Sequence, residues 1–332
     1  MRILVTGATG FVGRTLIHQL KRNRPEDELY AFILPGEEVP DFFREYNVGI
    51  LIGDITNRTS VDAAVKGKDI VLHLAGYISY WRKDIPKLEA VNVAGVGHVV
   101  DSCVRYGVKR LVHVSSVGAI GFYTDGTPAD EETAWNWSDR FPYMTTKKKG
   151  EDLVLDAVRE QDLDAVILNP ASIMGPGDPS PETAHNRLYG NIYTSPFFLG
   201  SFAGGLALVD VRDLCGAIIS AIENGEAGER FLIIGANVRY SEVLRLIGIY
   251  AKKAVFPFSI PPFLLVAAGL FMEFLSSITR KRPLLTSAYG RLSGWFAYYS
   301  NEKSKKILGV KYRSIETTIE DGCHYYESAF MK

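Results

Sequence analysis

"RILVTGATGFVG", residues 2–13, decides the fold. Its first five residues are a short apolar run that reads as a strand. The stretch "FVGRTLIHQLKR" then places Val12, Leu16, Ile17 and Leu20 at helical spacing. Gly7, Gly10 and Gly13 lie between the two. At a strand-to-helix turn they supply a positive φ, a face without Cβ where a pyrophosphate approaches, and close helix-to-strand packing. The helix start offers N–H groups to phosphate. Glycines alone serve packing as readily as binding; their place at the opening strand-to-helix junction points to a dinucleotide.

Working outward, "LYAFIL", "VGILIG", "DIVLHLAG", "KRLVHVSS" and "LDAVILNP" read as five further strands, with helices through "LEAVNVAGVGHVVDSCVRYG" and the segment containing "YMTTK". Continuously apolar strands alternating with helices predict a doubly wound parallel α/β sheet covered on both faces. Ligands of such sheets lie beyond the carboxyl ends of the strands. "TGATG", "HLAGY", "VSSVG" and "NPASIMGPGD" all fall there, so four loops converge on one crevice. Past Pro170 the pattern loosens into a Pro-rich loop, a strand running into a helix, and the short strand "ERFLIIG"; from Ala236 onward it is mainly helical, with turns at Pro257, Pro261, Pro283 and Gly309. The expected division is a dinucleotide-binding unit over 1–172, to which 205–235 returns, and a smaller, mainly helical C-terminal substrate lobe from 173–204 and 236–332.

A chain of 332 residues with a formal charge of −1 has no basic surplus for phosphate neutralisation, which argues against nucleic acid as a partner. Cys103, Cys215 and Cys323 are few, odd in number and far apart, so they read as buried small hydrophobes in a reducing compartment. Met1 passes directly into the strand pattern without a secretory signal, and a cytoplasmic location is expected. "IPPFLLVAAGLFMEFLSSITRKRP", residues 260–283, breaks that picture. Prolines and Glu273 interrupt it below spanning length, and the preferred reading is a buried or lid-forming helix. The alternative is an interfacial helix, apolar and then basic at Arg280, Lys281 and Arg282, in peripheral contact with a membrane.

In "YMTTKKKG", residues 143–150, Tyr143 and Lys147 stand four apart and share a helix face. "FILPGEE", at the end of the second strand, has no Asp or Arg at its tip to read the adenosine ribose. Arg14 could meet a 2′-phosphate, and Glu37 or Glu38 a free 2′-hydroxyl. NAD and NADP both stay open, with a slight lean to NADP. Asp54 of "GDIT" is a candidate for the adenine amino group, with Ile55 packing nearby, or a cap for the helix near Asn57. The histidines show no ligand spacing with a third donor, and no metal is expected.

"TGATGFVG", "GDIT", "HLAG", "NVAGVGHVV", "VSS", "YMTTK", "NPASIMGPGD" and "VDVRDLCGAI" stand in the order found in extended short-chain dehydrogenase/reductases, the NAD-dependent epimerase/dehydratase family, which the chain resembles over nearly its whole length. "YISYWRKD" and "GERFLIIG" carry a closer likeness to dihydroflavonol-reductase-like proteins and hopanoid-associated sugar epimerases. The resemblance implies a Rossmann fold. It also implies that Tyr143 is the general acid/base, that Lys147 binds the nicotinamide ribose and lowers the phenol's pKa, that Ser116 hydrogen-bonds the substrate oxygen, and that Asn92 supports a proton-relay water. A structural role for the Asn92 side chain stays open. To the cofactor it assigns Gly7, Thr9, Gly10, Phe11, Val12, Gly13 and Arg14, then Asp54 and Ile55, Leu74, Ala75 and Gly76, Tyr143, Lys147, Pro170 and Ile173. Lys148 and Lys149 read as a solvated face.

Two departures bear on substrate. Asn169 precedes Pro170 where many extended members have Arg, and Arg187, Arg212 and Arg239 are too scattered to clasp a diphosphate. Among the aromatics near loop ends, Tyr77, Phe122, Tyr189, Tyr193, Phe197 and Phe198 read as core, and Tyr80 and Trp81 as pocket wall. The first expectation is an NAD(P)-dependent oxidoreductase acting on a small, fairly apolar carbonyl or alcohol. Sugar epimerisation or dehydration with internally recycled cofactor, and a non-catalytic scaffold or redox sensor, are the alternatives. Homodimerisation is common in the family.

Overall fold

The computed structural model describes residues 1–181, 183–194, 201–254 and 258–331. Strands β1 (Arg2–Thr6), β2 (Glu28–Ile33), β3 (Gly49–Ile52), β4 (Ile70–His73), β5 (Arg110–Val114) and β6 (Ala165–Pro170) alternate with helices α1 (Phe11–Asn23), α2 (Asp41–Glu45), α3 (Arg58–Val65), α4 (Ile85–Glu89), α5 (Gly95–Tyr106) and α6 (Pro142–Gln161). There follow β7 (Ser172–Met174), α7 (Ala184–Thr194), β8 (Ser201–Phe202), β9 (Gly205–Asp210), α8 (Val211–Ser220), β10 (Arg230–Ile233), β11 (Ala236–Arg239) and α9 (Tyr240–Tyr250). The last elements are β12 (Ser259–Ile260), α10 (Pro262–Thr279), α11 (Ser287–Leu292), β13 (Phe296–Ala297), α12 (Glu302–Leu308) and α13 (Ile315–Phe330).

Seven parallel strands form one sheet in the order β10-β6-β5-β4-β1-β2-β3. Every residue of β4 and β6 is buried, as helices on both faces require. One face packs Leu16, Ile17 and Leu20 of α1 with Leu214 and Ile218 of α8; the other packs Val61, Val99 and Val154 of α3, α5 and α6. Strand order reverses between β1 and β4, which opens a crevice at their carboxyl ends. The sheet is the doubly wound Rossmann sheet that the apolar strands predict.

The stretch 205–235, expected to return to the Rossmann unit, is divided. β9 joins β7, β11 and β13 in a small second sheet, whereas β10 pairs with β6 at the edge of the large one. The helix expected through residues 88–107 is continuous in direction but contains a π-helical turn, Ala90–Ala94, between α4 and α5. Gly107 closes it at φ +63°, a left-handed cap that glycine adopts without strain. Phe197, Phe198 and Pro257 lie outside the described residues.

Candidate active site

The three glycines of the first turn each meet a different constraint. Gly7 has φ +66°, and a Cβ there would lie 3.0 Å from the Ala75 backbone nitrogen. A Cβ on Gly13 would sit 2.3 Å from the Gly7 carbonyl oxygen, so α1 could not pack on β1. At Gly10 the nearest atom would be that same oxygen, at 3.4 Å, which leaves its outer side clear. No side chain caps α1 at Gly10. The Thr6 hydroxyl accepts from the backbone N–H of Leu74 and of Ala75, both at 3.1 Å, and so ties the tips of β1 and β4 together. This cradle suits a dinucleotide pyrophosphate.

Around it, Thr9 donates to Glu37 Oε2 at 2.7 Å, and the Leu34 N–H donates to the same oxygen at 3.2 Å. Arg14 donates from Nε to the Thr9 carbonyl at 2.9 Å. A carboxylate therefore stands at the end of β2, held by the glycine turn. Asp54 accepts from the N–H and hydroxyl of Thr56, while Asn57 caps α3 by accepting from the Ser60 N–H. The capping role considered for Asp54 thus belongs to Asn57. Ile55 is buried against Gly95 of α5. Pro170 ends β6 opposite Ile233, and Ile173 in β7 packs on the edge of the core.

Tyr143, Lys147, Ser116 and Asn92 come together at the carboxyl ends of β4, β5 and β6, and all four are buried. Tyr143 and Lys147 occupy successive turns of α6, which starts at Pro142. Lys147 Nζ donates to the Val114 carbonyl at 3.1 Å, and a Cβ on Gly76 would come within 4.0 Å of that nitrogen. The ammonium therefore looks onto the loop after β4, next to the dinucleotide cradle. Lys148 and Lys149 turn outward to Asp152 and Glu89.

Ser116 accepts from the Gly118 N–H at 3.1 Å. Its loop is pinned by two indoles, Trp135 donating to Gly118 and Trp137 to Ile120. Asn92 sits in the π-helical turn. Its amide accepts from the Tyr77 N–H at 2.8 Å and donates to the Tyr77 carbonyl at 2.8 Å and to Thr146 Oγ1 at 3.2 Å. The side chain is consumed in clamping the β4 loop to α6, which is the structural alternative for this residue.

Burial pushes the Tyr143 phenol above its ordinary pKa, and a hydrogen bond with Ser116 pulls the other way. Burial also drops the Lys147 ammonium to about 8, against an opposing pull from Glu151. The influences that stand out on the phenol are its burial and the Ser116 hydrogen bond, not the Lys147 ammonium that the sequence pointed to. Desolvation dominates, and the ammonium uses a hydrogen bond on a backbone carbonyl.

A layer of polar groups that sequence reasoning missed lies below. Glu151, one turn beyond Lys147, is completely buried, accepts from Asn169 Nδ2 at 2.6 Å and lies 3.6 Å from Arg230 of β10. Burial raises its pKa; Asn169, Arg230 and Lys147 act to lower it. Asn169 also donates to the Ser116 carbonyl at 3.0 Å, so the Asn that departs from the family's Arg joins the serine loop to α6. The i+4 spacing from Lys147 was the available signal for Glu151.

Tyr80 crosses the Tyr143 ring edge-on at 6.1 Å between centroids, and Tyr289 of α11 crosses Tyr80 at 6.0 Å. Phe202 meets Tyr289 and Tyr240. Trp81 instead lies beneath the Lys83 ammonium, 5.4 Å from its ring centroid. The wall beside the phenol is aromatic and draws on the C-terminal elements.

Residues 3–234 match the family described as NAD dependent epimerase/dehydratase. The chain belongs to that family. Proteins similar to the chain over their full length include sterol demethylase protein B of Methylococcus capsulatus, 28% identical with all of both chains covered. A putative dihydroflavonol 4-reductase of Synechocystis is 27% identical over 98% of this chain and 94% of its own. The decarboxylating sterol-4-alpha-carboxylate 3-dehydrogenase of Saccharomyces cerevisiae is 28% identical over 96% and 95%. Among solved structures, gox2253 superposes with a TM-score of 0.83 at 27% identity, covering 98% of each chain. UDP-glucose 4-epimerase of Thermotoga maritima superposes at 0.78 and 21% identity, covering 99% of each, a likeness of fold. The family assignment makes this an NAD-binding oxidoreductase-type enzyme, and the glycine cradle has the shape its cofactor needs.

Proposed function

We propose that the protein is an NAD-dependent dehydrogenase that interconverts a secondary alcohol and a ketone on an apolar, polycyclic skeleton of the sterol kind. What carries this reading is the convergence of Tyr143, Ser116 and Lys147 beside the glycine cradle, under a wall of Tyr80 and Tyr289. NAD held in the glycine cradle would supply the hydride acceptor for oxidation of the carbinol carbon. The hydroxyl proton passes to the Tyr143 oxygen, and in reduction Tyr143 returns it to the carbonyl oxygen. Ser116 holds the substrate oxygen beside the phenol. Its hydrogen bond is also the contact that favours phenolate against the burial that opposes it. Lys147, whose ammonium faces the β4 loop, would hold the ribose hydroxyls.

Glu37 supports NAD over NADP. Its carboxylate, bound by Thr9 and Leu34 at the tip of β2, would accept from a free 2′-hydroxyl and repel a 2′-phosphate, which outweighs the lean drawn from Arg14. Arg212 is engaged by Asp210 and Asp321, and Arg239 lies over Phe296, so neither favours a sugar diphosphate. The test pairs Tyr143→Phe with a sterol alcohol and NAD. The wild type accumulates NADH in net amount, and the variant binds NAD normally but turns over at least ~100-fold slower. Epimerisation without net NADH, or undiminished turnover of Tyr143→Phe, overturns the assignment.

A further inference from the structure

We propose that the outward face of α10 is a docking surface for an anionic phospholipid bilayer, on which the helix lies in the plane of the interface. Nine of the seventeen large hydrophobic residues exposed among the described residues fall between positions 258 and 284. On α10 itself Phe263, Leu270, Phe271, Phe274 and Ile278 lie 55–69% exposed; Leu270 and Phe271 stand four and three residues before Phe274, Ile278 four after it, and Phe263 one further double turn before Leu270. Scattered exposed hydrophobics are ordinary; a continuous stripe of this size marks an interaction surface.

The side of α10 that meets the protein explains why the stripe is so uniform. Glu273, its one carboxylate, turns inward and accepts from the Ser287 N–H at 3.0 Å and the Ser287 hydroxyl. A Cβ on Gly269 would stand 2.5 Å from the Ser287 nitrogen, and one on Gly290 2.7 Å from the Leu265 carbonyl carbon, so α10 and α11 touch backbone to backbone. The outward side is left without an acid. At its C-terminal end come Arg280 and Lys281, both exposed. An apolar stripe ending in basic side chains suits acyl chains bordered by anionic headgroups.

Two other arrangements fit less well. α10 is long and apolar enough by composition to cross a membrane, with only 17% of it buried. At about 1.5 Å per residue, however, its eighteen residues span less than a ~30 Å hydrocarbon core. Crossing would also strip Glu273 and the two glycine contacts from α11. A second copy docked on the same face would bring Arg280 and Lys281 against a surface without a carboxylate.

The surface is coupled to the active site by contacts on both sides. Arg282 donates to Tyr77 Oη and Ser79 Oγ, both at 3.0 Å, and pairs with Asp84, all in the segment following β4. Tyr289 of α11 reaches Tyr80 beside the catalytic phenol. The docking surface stands on the geometry of α10 alone. That the site then takes a lipid directly from the bilayer rests on the function proposed above.

Flotation of the full-length protein with vesicles of phosphatidylcholine, with and without phosphatidylglycerol, tests the surface. The wild type is expected to float with anionic vesicles. Phe271→Ser/Phe274→Ser, at side chains that are exposed in the fold, should weaken partitioning by roughly 10-fold per residue. Arg280→Ser/Lys281→Ser should abolish the preference for phosphatidylglycerol and leave the weaker binding to neutral vesicles. Turnover of a detergent-solubilised alcohol by both variants, followed in parallel, reports on the chemistry separately; it stays at the wild-type rate if the fold is intact. The proposal is overturned if the wild type stays with the soluble fraction, if the phenylalanine variant floats as well as the wild type, or if light scattering shows a dimer that this variant dissociates.

Discussion

Replacing Lys147 with Met should make the cofactor-free protein more stable while removing its activity. Burial lowers the lysine from 10.5 in the unfolded chain to about 8 in the fold. At about 1.4 kcal/mol for each tenfold change in a proton equilibrium, keeping the folded ammonium charged at pH 7 costs about 3 kcal/mol. Met fills a similar volume without a charge to desolvate. It forfeits the bond to the Val114 carbonyl, worth about 1 kcal/mol, and it leaves Glu151 without the nearby cation that favours its ionised form. The expected net gain is about 1–2 kcal/mol at pH 7.

The pH dependence makes the test sharper than the midpoint alone. A lysine whose folded pKa is depressed binds fewer protons folded than unfolded between pH 8 and 10.5. Its contribution to stability is therefore a penalty, constant below pH 8 and relieved as pH rises through that window. Urea denaturation at pH 7, 8, 9 and 10 should show the wild type closing the gap on Lys147→Met as pH rises. Titrating groups that do not touch Lys147 are common to both proteins and cancel in the difference; Glu151, which loses its neighbouring cation, is the one that does not. A variant less stable than the wild type at pH 7, with a difference that stays flat to pH 10, would refute desolvation as the dominant influence on this ammonium.

Two further outcomes follow from the same site. Glu37→Gln removes the charge at the tip of β2, where the proposed reading puts the adenosine ribose, while keeping an acceptor for Thr9. It should raise kcat/KM with NADP relative to NAD by about tenfold, measured with both cofactors on one alcohol. Glu151→Gln withdraws the one charge that raises the Lys147 pKa. The alkaline limb of the kcat–pH profile should move to lower pH, whereas a purely structural role would lower kcat evenly at every pH.

Legibility in the sequence divides along the range of the interaction that matters. Gly7, Gly10 and Gly13 announce the cradle because a turn's geometry is local, and Tyr143 with Lys147 announces a shared helix face for the same reason. Glu151 stands at the same spacing from Lys147, but spacing alone does not separate a buried carboxyl from a solvated one. Only the packing of α6 against β6 and β10 reveals it as a buried carboxyl with Asn169 and Arg230 for partners. Asn92 shows the limit from the other side. Its place in a helix was visible, but its clamp depends on a π-helical turn and on Thr146, fifty-four residues away.

The least legible quantity was the sign of an electrostatic effect. An ammonium four residues from a phenol suggests a lowered tyrosine pKa, but the outcome depends on how much water each group loses, and both are buried. The same reasoning reorients α10. In the sequence Glu273 interrupts an apolar run and argues for a buried helix; in the fold it is the inward anchor that leaves the outward side free of acid. A single carboxylate thus reverses its meaning according to which side of a helix meets the protein, and a pattern of residue types becomes a surface only once Ser287 is there to receive it.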